Sequence, residues 1–136
     1  MCPDCHQPLI VVEFEGVELD YCLDCHGTWF DAGELELIGE LAGVQTGRLA
    51  EALRRAGCGR SSARRCPRCR RRMRVVSVGK APPVAVDRCP RGHGLWLDAG
   101  ELVTIVKSFT QGDEAAVAAF VADLLRHGLT GQTGKG

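Results

Sequence analysis

One seven-residue motif of this chain occurs twice. Trp29-Phe30-Asp31-Ala32-Gly33-Glu34-Leu35 returns as Trp96-Leu97-Asp98-Ala99-Gly100-Glu101-Leu102, 67 positions later, with six of the seven positions identical. Upstream of each copy stand paired cysteines: Cys2-Pro3-Asp4-Cys5 corresponds to Cys66-Pro67-Arg68-Cys69, and Cys22 to Cys89. A repeat of this length describes one supersecondary unit used twice, and it constrains the fold more than any other feature. Neither half of a 136-residue chain buries a large core alone, so a metal, a disulfide or a partner has to supplement it.

The cysteines supply that supplement. Two residues between paired cysteines let one tight turn aim both sulfurs at the same point, and a zinc ion takes four such donors in a tetrahedron. In the first copy Cys2, Cys5, Cys22 and Cys25 form two Cys-x-x-Cys knuckles at the separation of a hairpin. In the second copy Cys66, Cys69 and Cys89 keep three of these positions, but Gly92 stands where the first copy has Cys25, and His93 follows it. A Cys89-x-x-x-His93 pair completes a site of three thiolates and one imidazole if the imidazole reach compensates for the extra residue, and the rival is a vacant or weakened second site. His26 and His6 each follow a ligand cysteine and are expected to lie outside the ligand set. His127 sits near a predicted helix end, where a cation suits the dipole. Cys58 has no counterpart in the repeat and is expected to be a free thiol.

Around these donors the pattern alternates between strand and helix. Leu9–Phe14 and Val17–Tyr21 flank Gly16 as a hairpin, and Met73–Val78 and Val84–Asp87 flank a longer, proline-stiffened turn. Asp31 with Glu34, and Asp98 with Glu101, have the spacing of a capping box and predict a helix start in each copy. Leu35, Ile38 and Leu41 then line one helix, and Leu102, Ile105, Val106 and Phe109 the other. Trp29 and Trp96, two residues before the predicted caps, are expected to pack between helix and ribbon. The expected fold is therefore a small metal-stabilised α+β protein: two tandem zinc ribbons with hairpin knuckles, each followed by a capped helix, plus a C-terminal helix. The boundaries are 1–43 for the first unit, 44–64 for a helix and a basic Gly/Arg-rich connection, 65–110 for the second unit, 111–128 for an amphipathic helix and 129–136 for a flexible tail. The apolar stripe Val117, Phe120, Val121, Leu124 and Leu125 suits either packing against the ribbons or docking to a partner.

The full motif, Cys-Pro-x-Cys, then Cys-x-x-Cys-x-Gly-x-Trp, then Asp-x-Gly-Glu-Leu, resembles that of the bacterial transcription-factor-type zinc-finger proteins, named for their likeness to the zinc ribbon of transcription factor IIB. The likeness spans about residues 1–41 and 65–106. It implies a small ribbon and zinc binding at Cys2, Cys5, Cys22, Cys25, Cys66, Cys69 and Cys89, while His93 rests on position and chemistry alone.

A formal net charge of zero hides strong segregation. Residues 1–53 hold eleven acids and one base, residues 54–74 hold ten arginines and no acid, and residues 75–136 hold six of each. The run from Arg54 to Arg74 suits phosphate contacts with nucleic acid, or else is a solvated connection offsetting the acidic first half. No aromatic residue interleaves it for base stacking. Four protein ligands leave no open metal position for water or substrate, and the thioredoxin-like pattern of a redox Cys-x-x-Cys is missing, so no enzyme and no small-molecule substrate is expected. No apolar run is long enough to span a membrane, and no basic, apolar leader opens the sequence, which sets the expectation of a cytoplasmic protein. The expected function is a non-catalytic structural zinc-binding protein that contacts nucleic acid or protein, with a transcription-related role. The alternative is a protein-binding assembly or scaffold factor that touches no nucleic acid.

Overall fold

The computed structural model describes residues 1–57, 59–79 and 83–110. The expected C-terminal helix and tail, His127, Cys58 and most of the turn near Pro82 lie outside the described residues.

Among the described residues, seven strands and three helices follow in the order β1 (Ile10–Phe14), β2 (Val17–Tyr21), β3 (Thr28–Asp31), α1 (Glu34–Leu41), α2 (Arg48–Arg55), β4 (Arg60–Arg65), β5 (Arg72–Val78), β6 (Val84–Arg88), β7 (Gly94–Leu97) and α3 (Glu101–Phe109). Both expected hairpins form, with Phe14 opposite Val17 in the first and Val78 opposite Val84 in the second. Each copy then adds a third strand that periodicity did not reveal, because Thr28–Asp31 and Gly94–Leu97 are four residues long and buried on both faces. These short strands pair with each other, Trp29 opposite Trp96 and Phe30 opposite Leu95. The two units thereby merge into one antiparallel sheet of order β1-β2-β3-β7-β6-β5-β4.

The sheet separates two cores by side-chain alternation. On one face Val12, Leu19, Phe30, Val76, Val86, Leu95 and Leu97 meet Leu35, Ile38, Leu49, Leu53, Leu102, Ile105 and Val106 of the helices. On the other, Trp29, Trp96 and Met73 pack with Cys2, Cys22, Cys66 and Cys89. The tryptophans thus lie on the cysteine side and not between helix and ribbon as expected. Strand parity decides this: Phe30 and Leu95 already take the helix side, so their neighbours must point away from it.

The caps differ from expectation in one half. Glu34 accepts a hydrogen bond from the Asp31 amide at 2.9 Å, and Glu101 from the Asp98 amide at 2.7 Å, as a capping box requires. The aspartate carboxylates do not cap, and the helices start only after left-handed Gly33 and Gly100. Asp31 and Asp98 instead accept the indole N–H of Trp29 and Trp96, at 2.8 and 3.2 Å. Leu35 and Ile38 are buried as predicted, whereas Leu41 is exposed with Leu37. The basic connection also carries structure: β4 forms the sheet edge, bonded to β5 with a register shift between Ser61 and Arg65.

Candidate metal centres

Four reverse turns hold the donors. In the first, the Cys2 amide donates to the Gln7 carbonyl and the His6 amide to the Cys2 carbonyl, at 2.8 and 3.0 Å, with His6 left-handed at φ 64°. The turns at Cys22 and Cys66 repeat these bonds, with His26 and Arg70 in the left-handed position. Further amides point at sulfur: those of Asp4 and Cys5 lie 3.3 and 3.2 Å from Cys2 Sγ, and those of Arg68 and Arg91 each 3.3 Å from Cys66 Sγ and Cys89 Sγ. Such N–H···S contacts favour thiolate over thiol.

The fourth turn keeps the outer bond, from the Cys89 amide to the Gly94 carbonyl at 3.0 Å, but its inner bond spans one residue fewer. The amide that bonds back to the Cys89 carbonyl, at 3.0 Å, belongs to Gly92, and Gly92 takes the left-handed conformation at φ 81°. In the first copy that conformation falls on His26, one residue later in the alignment, and Cys25 precedes it as donor. Moving the left-handed residue back by one explains glycine at position 92, where a side chain would be strained. It also brings the following residue, His93, within reach of Cys66, Cys69 and Cys89.

The donor atoms of Cys2, Cys5, Cys22 and Cys25 all lie within 4.8 Å of one another, as do those of Cys66, Cys69, Cys89 and His93. Cys2 Sγ to Cys25 Sγ and Cys69 Sγ to Cys89 Sγ are each 3.7 Å, and His93 Nδ1 is 3.4 Å from Cys89 Sγ. A tetrahedron with Zn–S bonds of about 2.3 Å has sulfur-to-sulfur edges of about 3.8 Å, and replacing one sulfur by nitrogen shortens them slightly. Both groups fit a zinc ion, the first with four thiolates and the second with three thiolates and an imidazole. Thiols this close, four in the first group and three in the second, cannot all ionise without a cation: burial pushes Cys25 up to about 11 and Cys66 up to about 12, while the Arg71 amide pulls Cys69 down to about 7. A divalent ion removes the conflict by neutralising the sulfurs together.

The remaining histidines lie outside these groups. His26 Nδ1 bonds to the Tyr21 hydroxyl at 2.8 Å, and His6 is exposed. The signal that sequence reasoning passed over is the glycine in Gly27-Thr28-Trp29 and Gly94-Leu95-Trp96. A methyl group at Gly27 would stand 2.2 Å from the ring of Trp96, and one at Gly94 would stand 2.8 Å from the ring of Trp29 and 2.1 Å from the Phe30 carbonyl oxygen. Each unit's tryptophan therefore lies on the glycine of the other.

Two arginines of the basic run join the units as well. Arg68, between the ligand pair Cys66 and Cys69, donates to Asp31 at 2.9 Å and to Asp20 at 2.5 Å. Arg64 of β4 donates to Asp87 and Asp98 at 2.9 Å and to Asp4, between Cys2 and Cys5, at 3.2 Å. Asp20 and Asp31 occupy the same repeat positions as Asp87 and Asp98, so each unit presents an acidic pair that takes one guanidinium.

With the ribbons and their donor groups in place, a family model described as transcription factor zinc-finger, a ribbon of the transcription factor IIB kind, matches residues 1–40 and again residues 65–108. These matches span more than half of the chain, and the chain belongs to that family. No curated protein and no solved structure matches it. It is a structural zinc-binding module in two ribbon copies, and no helix among the described residues is long and apolar enough to cross a membrane.

Proposed function

We propose that this chain is a non-catalytic, cytoplasmic interaction module whose two ribbons are organised by zinc at Cys2, Cys5, Cys22 and Cys25 and at Cys66, Cys69, Cys89 and His93, and that its partner is nucleic acid. The observation that carries the partner is the state of the arginines. Arg64 and Arg68 are consumed by carboxylates, and Arg54 and Arg55 pair with Glu51. Arg60, Arg65, Arg70, Arg71 and Arg72 are exposed and have no carboxylate partner among the described residues. They cluster on β4, β5 and the Cys66 turn, which are rigid elements, so their charges are held in place for phosphate. The family's description supports a transcription-related setting. Four protein donors at each metal leave no coordination position for a substrate, which supports the absence of catalysis.

Titration of labelled DNA, RNA and heparin at several salt concentrations tests the partner. Binding that weakens with salt and is lost when the exposed arginines become serine supports nucleic acid. A second reading, a protein-binding scaffold, is favoured by Leu37 and Leu41, which stand one turn apart on α1 and are 51% and 45% exposed. A protein partner whose binding survives loss of the arginines would support it.

A further inference from the structure

Four arginines share one face of the sheet in directly opposed pairs. Arg65 on β4 is opposite Arg72 on β5, and Arg74 on β5 is opposite Arg88 on β6. Opposite residues of an antiparallel pair project to the same side, and Arg72 and Arg74, two positions apart, do so too. The shared side is that of the helices, because Val76 and Val78 continue the same alternation into the helix-side core. Like charges directly opposite each other destabilise a sheet.

None of the four has a carboxylate partner among the described residues. Arg65 donates to the Arg70 carbonyl at 3.0 Å and Arg88 to the Leu53 carbonyl at 2.6 Å, which orients their guanidiniums without a direct ion pair. The Nε of Arg74 is buried and meets no acceptor. A buried donor without a partner costs free energy. Arg54 and Arg55, in the last turn of α2 beside Leu53, share the single carboxylate of Glu51 and so leave one net positive charge past the sheet.

On the reading of the chain as a nucleic-acid module, we propose that this cross-strand arginine ladder, Arg65, Arg72, Arg74 and Arg88, is where the phosphodiester backbone binds. Opposed side chains stand about 5 Å apart at Cβ, and Arg72 and Arg74 are separated by about 7 Å along the strand. That spacing offers forks to successive phosphates. Contact is to backbone and not to bases: Trp29 and Trp96 are fully buried, and the ladder contains no aromatic side chain. Binding is accordingly independent of base sequence.

The experiment uses the full, zinc-loaded chain, a fluorescein-labelled DNA duplex, the matching single strands in DNA and RNA, and shuffled versions of each. Two double variants remove equal charge. R65S/R72S opens the ladder, while R60S/R71S removes two exposed arginines outside it, Arg60 being opposite Val75 on the other face. The expected result is a loss of affinity of at least about tenfold for R65S/R72S, with the log-log salt slope falling by about two, and a loss several times smaller for R60S/R71S. Shuffled sequences bind equally. Equal losses in both variants, or a strong preference for one base sequence, overturn the ladder while leaving a nucleic-acid partner standing. Absence of binding to every nucleic acid removes both the partner and the ladder. A further readout needs no ligand: relief of like-charge opposition leaves the melting temperature of R65S/R72S equal to or above that of the parent. A clear fall would show that these arginines serve the fold, and would overturn the proposal.

Discussion

At the scale of single residues, the glycine before each tryptophan sets how closely the units approach. Gly27 and Gly94 give the indole rings a surface to lie on, and the added carbon of alanine has nowhere to go. Gly27→Ala is expected to destabilise the chain by about 1–3 kcal/mol, the usual cost of overpacking. Denaturant midpoints measure it, and the same change should cost less in a Trp96→Leu background, since the clash is with that ring. Glu101 supplies a prediction in pH. Burial raises its carboxyl to about 7, above the ordinary glutamate range, despite the bond from the Asp98 amide. A folded pKa above the unfolded one favours the protonated state in the fold. Its contribution is complete below the unfolded pKa and is lost as pH rises through about 7. Melting temperatures of zinc-loaded protein between about pH 6 and about pH 8 should therefore decline in part through this group, and Glu101→Gln should remove that part of the slope.

At the scale of elements, β4 turns from an expected solvated connection into an edge strand whose one inward arginine binds three carboxylates. Arg64 faces Asp87, whose side chain is 9% exposed, with Asp98 and Asp4 at the more open rim. Removing the guanidinium strands a buried carboxylate. Arg64→Ala is expected to cost about 2 kcal/mol, less than a fully buried pair because two of the three carboxylates are well solvated. Arg64→Met, which keeps the packing stem, separates the charge from the contact; a loss of similar size in both variants assigns the effect to charge. The capping elements show a related reuse. Asp31 and Asp98 have the spacing of N-caps, but their carboxylates hold indoles and guanidiniums, and left-handed glycines start the helices instead.

At the scale of the molecule, two small ribbons share one sheet and one cysteine-tryptophan core. A structural zinc site contributes about 10–16 kcal/mol in apparent terms, as much as the whole stability of a small domain, at about 5–15 kcal/mol. Chelation is therefore expected to unfold the chain. Because β3 pairs with β7, and Arg68 sits between two ligands of one site while binding acids of the other unit, the sites should empty in concert. Untagged protein should carry two zinc ions, and His93→Ala should lower zinc affinity at the second site. Hydrogen exchange should then rise in β3 of the first unit as well as in β6 and β7. Exchange confined to the second unit would mean that the ribbons are thermodynamically independent.

The sequence by itself determined the repeat, both hairpins, the positions of the three described helices and the eight residues that cluster in two groups of four, since each follows from local spacing that a tight turn or a regular period enforces. His93 was legible as the neighbour of Gly92, but the reason was not: only the backbone shows the left-handed residue moved back by one, which places an imidazole where the first copy places a sulfur. The joining of the units was decided in tertiary structure. Four-residue strands buried on both faces carry no alternation, and the contacts of Trp96 with Gly27 and Arg64 with Asp4 connect residues separated by about half of the chain. The arginine run shows the same division most clearly. Composition marks ten like charges, but only strand register separates those that hold the two ribbons together from those that face one another with no ion-paired carboxylate among the described residues.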